Sequence, residues 1–238
     1  MTTLRITGGR VLRPDVTVER ADVLVDQDSG TIRAIGETDE GDDTLDASGG
    51  LVMPGLVNAH THAAMVLLRG FADDKPLNNW LQEDIWPAEA AMEPADIRAG
   101  TELALLEMIR SGTTAFADMY FHVEEVAEAV ERAGLKARLS HGVVTVGKES
   151  EDARADAETG IEIAETLQGR ADGQIRTAFS PHSLTTVDAD YLDEFVSNAR
   201  AAGLPLHYHA NETTDEADPI VEAEGQRPLE YADDHDML

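Results

Sequence analysis

From residue 51 onward one phrase repeats: a short apolar run, a segment of helical period, then a glycine. The apolar runs are 51–62, 113–120, 137–144, 175–182 and 204–211. The helix-period segments are 94–111, 123–133, 156–168 and 188–202, and each is closed by a glycine: Gly112, Gly134, Gly169 and Gly203. A glycine just past a helix takes the left-handed cap conformation that a β-carbon disfavours, and it turns the chain into the next strand. Strand–helix alternation of this kind builds a parallel sheet covered by helices.

An open doubly wound sheet and a closed barrel share that grammar. Histidines and carboxylates sit at the C-terminal ends of several different runs, and a barrel brings those ends together. The expected fold is therefore α/β, an incomplete (β/α)8 TIM barrel of about five strands over residues 51–238. A full barrel takes about 250 residues, more than the chain has after position 50. The alternative is a smaller fold with fewer units. Residues 1–50 read as short strands at 4–7, 10–12, 21–25 and 31–35 with turn residues between them. They are expected to form the N-terminal part of a small β-sandwich-like domain. The acidic stretch 37–46 that follows reads as a solvated loop.

Composition narrows the function classes. There are 47 acidic and 18 basic residues, a formal net charge of −29, and the only lysines are Lys75, Lys136 and Lys148. Such a surface repels nucleic-acid backbones and anionic membranes. The hydrophobic fraction of 42% is ordinary for a globular chain, so the acidity does not signal disorder. It suits high salt, where screening blunts self-repulsion. No run approaches the ~18 apolar residues of a membrane helix, and residues 1–13 lack a signal-peptide core. A cytoplasmic location is expected. With no cysteine, thiol catalysis, disulfides and Cys-based zinc sites are excluded. A soft-metal site has to be built from histidines and carboxylates.

His60 and His62 flank Thr61 at the end of the first run. Residues two apart on a strand share a face, so both imidazoles can reach one cation. Zinc prefers such nitrogen ligands, and iron also suits them. A His-x-His pair alone fits a plain surface pair equally well; the lead-in Pro54-Gly55-Leu56-Val57-Asn58-Ala59 makes it more specific. His207 and His209 share a face of the fifth run. His209 lies nearer the C-terminal strand end and is expected to be the third ligand, with His207 deeper and structural. Glu212, just past that run, is either an acid–base group over the site or a helix-start carboxylate. His182 ends the fourth run as a substrate contact or an ordinary loop histidine, and Asp118 holds a similar but weaker place on the second. His122, His141 and His235 belong to no constellation and read as structural or solvated. Trp80 and Trp86 are expected in core packing, with an aromatic substrate wall as the alternative.

The run Pro54-Gly55-Leu56-Val57-Asn58-Ala59-His60-Thr61-His62-Ala63-Ala64-Met65, followed by Leu68-Arg69-Gly70-Phe71-Ala72-Asp73-Asp74, resembles the amidohydrolase superfamily, in its aminohydrolase and chlorohydrolase branch. Ile85-Trp86-Pro87-Ala88-Glu89 and Gly225-Gln226-Arg227-Pro228-Leu229-Glu230-Tyr231 are similar to 5-methylthioadenosine/S-adenosylhomocysteine deaminases, including relatives that act on 5′-deoxyadenosine. The likeness extends over essentially the whole chain. It implies one divalent metal per subunit, zinc or iron, on His60, His62 and His209. It implies substrate contacts from Glu89 (to a ribose), Arg154, His182 and Glu212, with Glu212 also moving protons at the purine. The implied reaction is metal-dependent hydrolytic deamination of an adenosine-type nucleoside to the inosine derivative and ammonia. Other members of the superfamily, such as a triazine chlorohydrolase or a guanine or cytosine deaminase, are the alternative within it. An inactive remnant that only binds metal is the alternative outside it.

That family also carries a histidine after its sixth strand and an aspartate after its eighth, and the chain has neither position. The resemblance therefore implies the N-terminal portion of such an enzyme, inactive in isolation, with a complementing C-terminal segment or a homo-oligomer as its partner.

Overall fold

The computed structural model describes residues 2–238 and divides into two compact units, Met1–Gly55 and Leu56–Leu238. The first unit holds β1 (Thr3–Thr7), β2 (Arg10–Leu12), β3 (Val18–Arg20), β4 (Asp22–Asp26), β5 (Thr31–Gly36), β6 (Asp43–Asp46) and β7 (Leu51–Val52). They form two small sheets, ordered β5-β4-β1-β6 and β3-β2-β7. Apolar alternation sets the register at the centre, where Leu4 lies opposite Val25 and Ile6 opposite Val23. The acidic stretch is not all loop: its last four residues are β6, parallel to β1. All four β6 side chains are exposed. The backbone ladder, with one bond from Gln27 Nε2 to Asp43 Oδ2 at 3.1 Å, holds this strand, so no pattern of burial marks it in the sequence.

The second unit is a parallel sheet clothed in helices. Its strands are β8 (Leu56–Thr61), β9 (Thr113–Tyr120), β10 (Lys136–Val143), β11 (Ile175–Thr177) and β12 (Ser180–Pro181). The spatial order is β8-β9-β10-β11, so each of these four strands lies beside its predecessor in the barrel manner, and β12 continues along β10 beyond β11. Between β8 and β9 come a 3-10 turn (Ala63–Leu68), α1 (Leu77–Trp80), a π-helical turn (Leu81–Ile85), α2 (Trp86–Glu89) and α3 (Pro94–Ser111). Then follow α4 (Val123–Ala133), α5 (Ser150–Leu167), α6 (Ala189–Ala201), α7 (Thr214–Glu224) and α8 (Pro228–Asp234). No helix among the described residues is long and apolar enough to cross a membrane.

Four further elements differ from expectation. The run 51–62 is split: Leu51–Val52 is β7 of the first unit and Leu56–Thr61 is β8 of the second, with Pro54-Gly55 between them. The run 175–182 breaks into β11 and β12. The run 204–211 forms no continuous strand. It is tied to its neighbour by two isolated parallel bridges, Phe179 to Leu206 and Ser183 to His209. Pro205 has no N–H to give to a ladder, and Asn211 turns left-handed at φ 57°, so the run is interrupted near its start and closed at its end. Helix α5 starts at Ser150, six residues before the expected 156. Glu151 and Asp152 in its first turn favour the positive end of the helix dipole.

The helices pack against the sheet through Ile97 and Leu105 of α3, Val126 and Val130 of α4, and Phe116, Leu139 and Ile175 of the strands. A second cluster joins Val143, Phe179, Leu192 and Phe195. Helix α3 also presses on the 3-10 turn that follows His62. A β-carbon at Gly100 would lie 2.5 Å from the Ala64 carbonyl oxygen and 3.0 Å from its Cα. Those are backbone atoms and cannot swing aside. Overpacking costs about 1–3 kcal/mol, against the ~1 kcal/mol that alanine gains over glycine inside a helix. Gly100→Ala is therefore expected to lower the urea denaturation midpoint; a raised midpoint would contradict this packing.

Candidate metal centre and cleft

The C-terminal ends of β8, β9 and β12 and the bridged run at 206–209 converge on a cleft of about 840 Å³. His60 and His62 leave the end of β8 together, as the two-residue repeat of a strand requires. His209 reaches them from the bridged run. One ring nitrogen from each of the three lies within 4.8 Å of the others. Among the described residues this is the one such cluster of potential metal ligands.

The backbone fixes two of the rings. His62 Nδ1 donates to the Met119 carbonyl at 2.6 Å, and His209 Nδ1 donates to the His182 carbonyl at 2.7 Å. A carbonyl only accepts, so both Nδ1 atoms carry hydrogen and both Nε2 atoms are left free. These two Nε2 atoms face each other at 3.2 Å. Two lone pairs at that distance need a positive species between them. Burial holds His62 below the ordinary histidine value, against an extra proton. A divalent cation is the species that fits, and imidazole nitrogens of this kind are ligands for zinc or iron. Burial and then the neighbouring imidazoles also push His60 down to about 4, His207 down to about 4 and His182 down to about 3. These rings stay neutral at pH values where an exposed histidine would charge.

Asp118, two residues before the end of β9, is buried, and its Oδ1 accepts the Ala63 N–H at 2.6 Å. It thereby anchors the turn that follows His62. Burial pushes its carboxyl up to about 7. A folded value above the unfolded one gives stability that is present in acid and lost as the pH rises from about 4 to 7. Asp118→Asn keeps an acceptor for Ala63 and cannot ionise. In metal-free protein its melting temperature is expected to gain on that of the wild type between pH 4 and pH 8. A gap that stays constant with pH would contradict the assignment.

Glu89, Glu212 and His182 line the same cleft. Glu89 Oε1 accepts the Tyr120 hydroxyl hydrogen at 2.6 Å, and burial raises the Glu89 carboxyl more than this bond lowers it. His182 Nδ1 pairs with Thr186 Oγ1 at 2.9 Å, and its ring centroid lies 4.7 Å from that of His209. Glu212 is exposed on the rim, and its backbone N–H donates to Glu216 Oε2 at 2.7 Å. Trp80 and Trp86 also line the cleft and are not core residues. In the helical stretch 77–89 it is Ile85 that takes the buried position.

Arg154 is not among the cleft's lining residues. The early start of α5 places it well inside that helix, where it grips Glu194 of α6 through three contacts of 3.0–3.2 Å and lies over the Tyr191 ring. His141 and His235 pair with Asp156 and Asp193 and are structural. Tyr120, Glu216 and the Met119 carbonyl escaped the sequence reading. Tyr120 ends an apolar strand, where an aromatic signals packing, and no sequence pattern marks a carbonyl that orients an imidazole.

A family model described as Amidohydrolase family matches residues 51–238. A 5-methylthioadenosine/S-adenosylhomocysteine deaminase of Natronomonas pharaonis is 63% identical over 238 residues, which are 100% of this chain and 55% of that protein. A 5′-deoxyadenosine deaminase of Methanosarcina acetivorans is 46% identical over 209 residues, 87% of this chain and 48% of that protein. The crystal structure of an adenosine deaminase from Xanthomonas campestris with bound zinc superposes with a TM-score of 0.86 at 34% identity, covering 98% of this chain and 55% of that one. The chain thus spans about half the length of the curated relatives it matches.

Proposed function

Because the chain belongs to the amidohydrolase family, we propose that its cleft is that of a metal-dependent aminohydrolase. The substrate is an adenosine-type nucleoside: S-adenosylhomocysteine, 5′-methylthioadenosine or 5′-deoxyadenosine. The products are the inosine derivative and ammonia. The observation that carries this reading is the meeting of His60, His62 and His209 in a cleft that also holds Glu89, His182 and Glu212. Identity to a 5-methylthioadenosine/S-adenosylhomocysteine deaminase supports the substrate class.

His60, His62 and His209 hold the cation, for which zinc is the first choice since a structural relative holds zinc. A cation so bound supplies Lewis acidity and an acidified water, toward pKa ~7. Glu212 on the rim delivers a proton to the purine ring nitrogen as the exocyclic amine leaves. Glu89, steadied by Tyr120, accepts hydrogen bonds from the ribose hydroxyls. His182 contacts the substrate beside the metal ligands, and Trp80 and Trp86 wall an aromatic base. A substrate role for Arg154 requires its release from Glu194. A cytoplasmic setting suits a chain without cysteine.

Turnover in this reading belongs to an assembled site, completed by a C-terminal segment or a second copy. Ammonia release tests it. The zinc-loaded chain is assayed alone, and after co-expression with the part of the Natronomonas relative that lies beyond the match. The substrates are the three adenosine nucleosides and guanine. The chain alone is expected to be silent, and the complemented chain to deaminate the nucleosides and spare guanine. Preference for guanine would contradict the substrate class, and zinc uptake without any turnover would favour a metal-binding remnant.

A further inference from the structure

We propose that His207 is the positioning residue that makes His60 a metal ligand, by accepting the hydrogen on His60 Nδ1. The proposal rests on the metal reading above. His60 Nδ1 and His207 Nε2 lie 2.8 Å apart, with the two rings nearly perpendicular at 82°. One of these nitrogens has to donate to the other. If His60 donates, its Nε2 lone pair is free to bind a cation. If His207 donates, His60 carries its hydrogen on Nε2 and is lost as a ligand through that atom.

His60 differs in this from the other two ligands. The Nδ1 atoms of His62 and His209 face carbonyl oxygens, which only accept, so the backbone dictates their tautomers. His60 faces a second imidazole that can take either role. His207 does not resolve the choice through its other nitrogen, because its Nδ1 is buried without a partner. Both arrangements therefore make the same hydrogen bonds within the protein, and both leave that one atom unpaired. The cation is what selects between them. It favours the arrangement in which His60 donates, and His207 is the acceptor that makes this arrangement available. A residue read from sequence as structural thus governs the competence of a ligand.

The test combines zinc affinity with nitrogen-15 spectra of the histidine rings, on the 238-residue chain. Loss of an outer partner of a metal-bound histidine weakens binding about 10–100-fold. His207→Leu is expected to weaken zinc binding in that range. His207→Gln, whose amide oxygen can accept from His60, is expected to restore most of the affinity, and it serves as the second variant should the leucine substitution unfold the chain. Zinc loading of the wild type is expected to leave His60 with hydrogen on Nδ1 only. The proposal is overturned if His207→Leu binds zinc as tightly as the wild type, or if zinc-loaded His60 carries no hydrogen on Nδ1. A wild type that takes up no zinc would sink the metal reading instead. The zinc-free spectra then test the pair by itself: replacing His207 by Leu is expected to shift the His60 Nδ1 signal, and an unmoved signal overturns the proposal.

Discussion

His209→Ala is expected to weaken zinc binding by more than about 100-fold, since losing a ligand outweighs the 10–100-fold effect of losing a ligand's outer partner. The substitution removes one of three imidazoles and leaves His62 Nε2 without the partner it faces at 3.2 Å. The fold should tolerate it. Alanine loses the ring's Nδ1 bond to the His182 carbonyl but keeps the backbone bond from the residue 209 N–H to that carbonyl at 3.0 Å. His62 and His209 are 147 residues apart in sequence, so the effect reports a tertiary encounter and not a local motif. Competition against a chelator of known affinity measures it. An unchanged affinity would place the metal elsewhere.

In the complemented enzyme, Glu212→Gln is expected to lower kcat about 10²–10⁴-fold, the usual contribution of a general acid or base, with zinc affinity unaltered. Glutamine keeps the size of the side chain and loses the transferable proton. The rival role, a carboxylate that favours a helix start, predicts a different result. It contributes only about 0.3–1 kcal/mol to stability and would leave kcat alone. The structure weighs against that rival. Thr213 is the N-cap of α7, and the carboxylates in the first turn are Asp215 and Glu216. Glu212 precedes the cap, and its own N–H is already taken by Glu216. Steady-state kinetics with 5′-methylthioadenosine decides between the roles, and a kcat within twofold of the wild type would remove Glu212 from the chemistry.

Legibility in the sequence followed the physics of each element. Helices α3 and α4 stand at 94–111 and 123–133 as their periodicity and closing glycines indicate, with Gly112 and Gly134 both left-handed. The encounter of His60, His62 and His209 was legible because strand alternation and strand-end placement obey simple rules. Strand β6 was hidden, since its ladder holds exposed acidic residues that carry no burial pattern. The weak pairing of 204–211 depends on Pro205 and on a left-handed Asn211, and an apolar run conceals both. Trp80 and Trp86 were misplaced because a large aromatic signals burial by default, while the helical stretch 77–89 buries Ile85 and turns the indoles to the cleft. The link between Tyr120 and Glu89 joins β9 to α2 at 2.6 Å and has no signature in the sequence.

Anomalous diffraction at the zinc edge, from crystals of the zinc-loaded chain, tests the account at its centre. The prediction is a single strong peak lying about 2.0–2.1 Å from one nitrogen each of His60, His62 and His209. A peak ligated by other residues, or a zinc-loaded crystal with these three rings bonded only to one another, would contradict it.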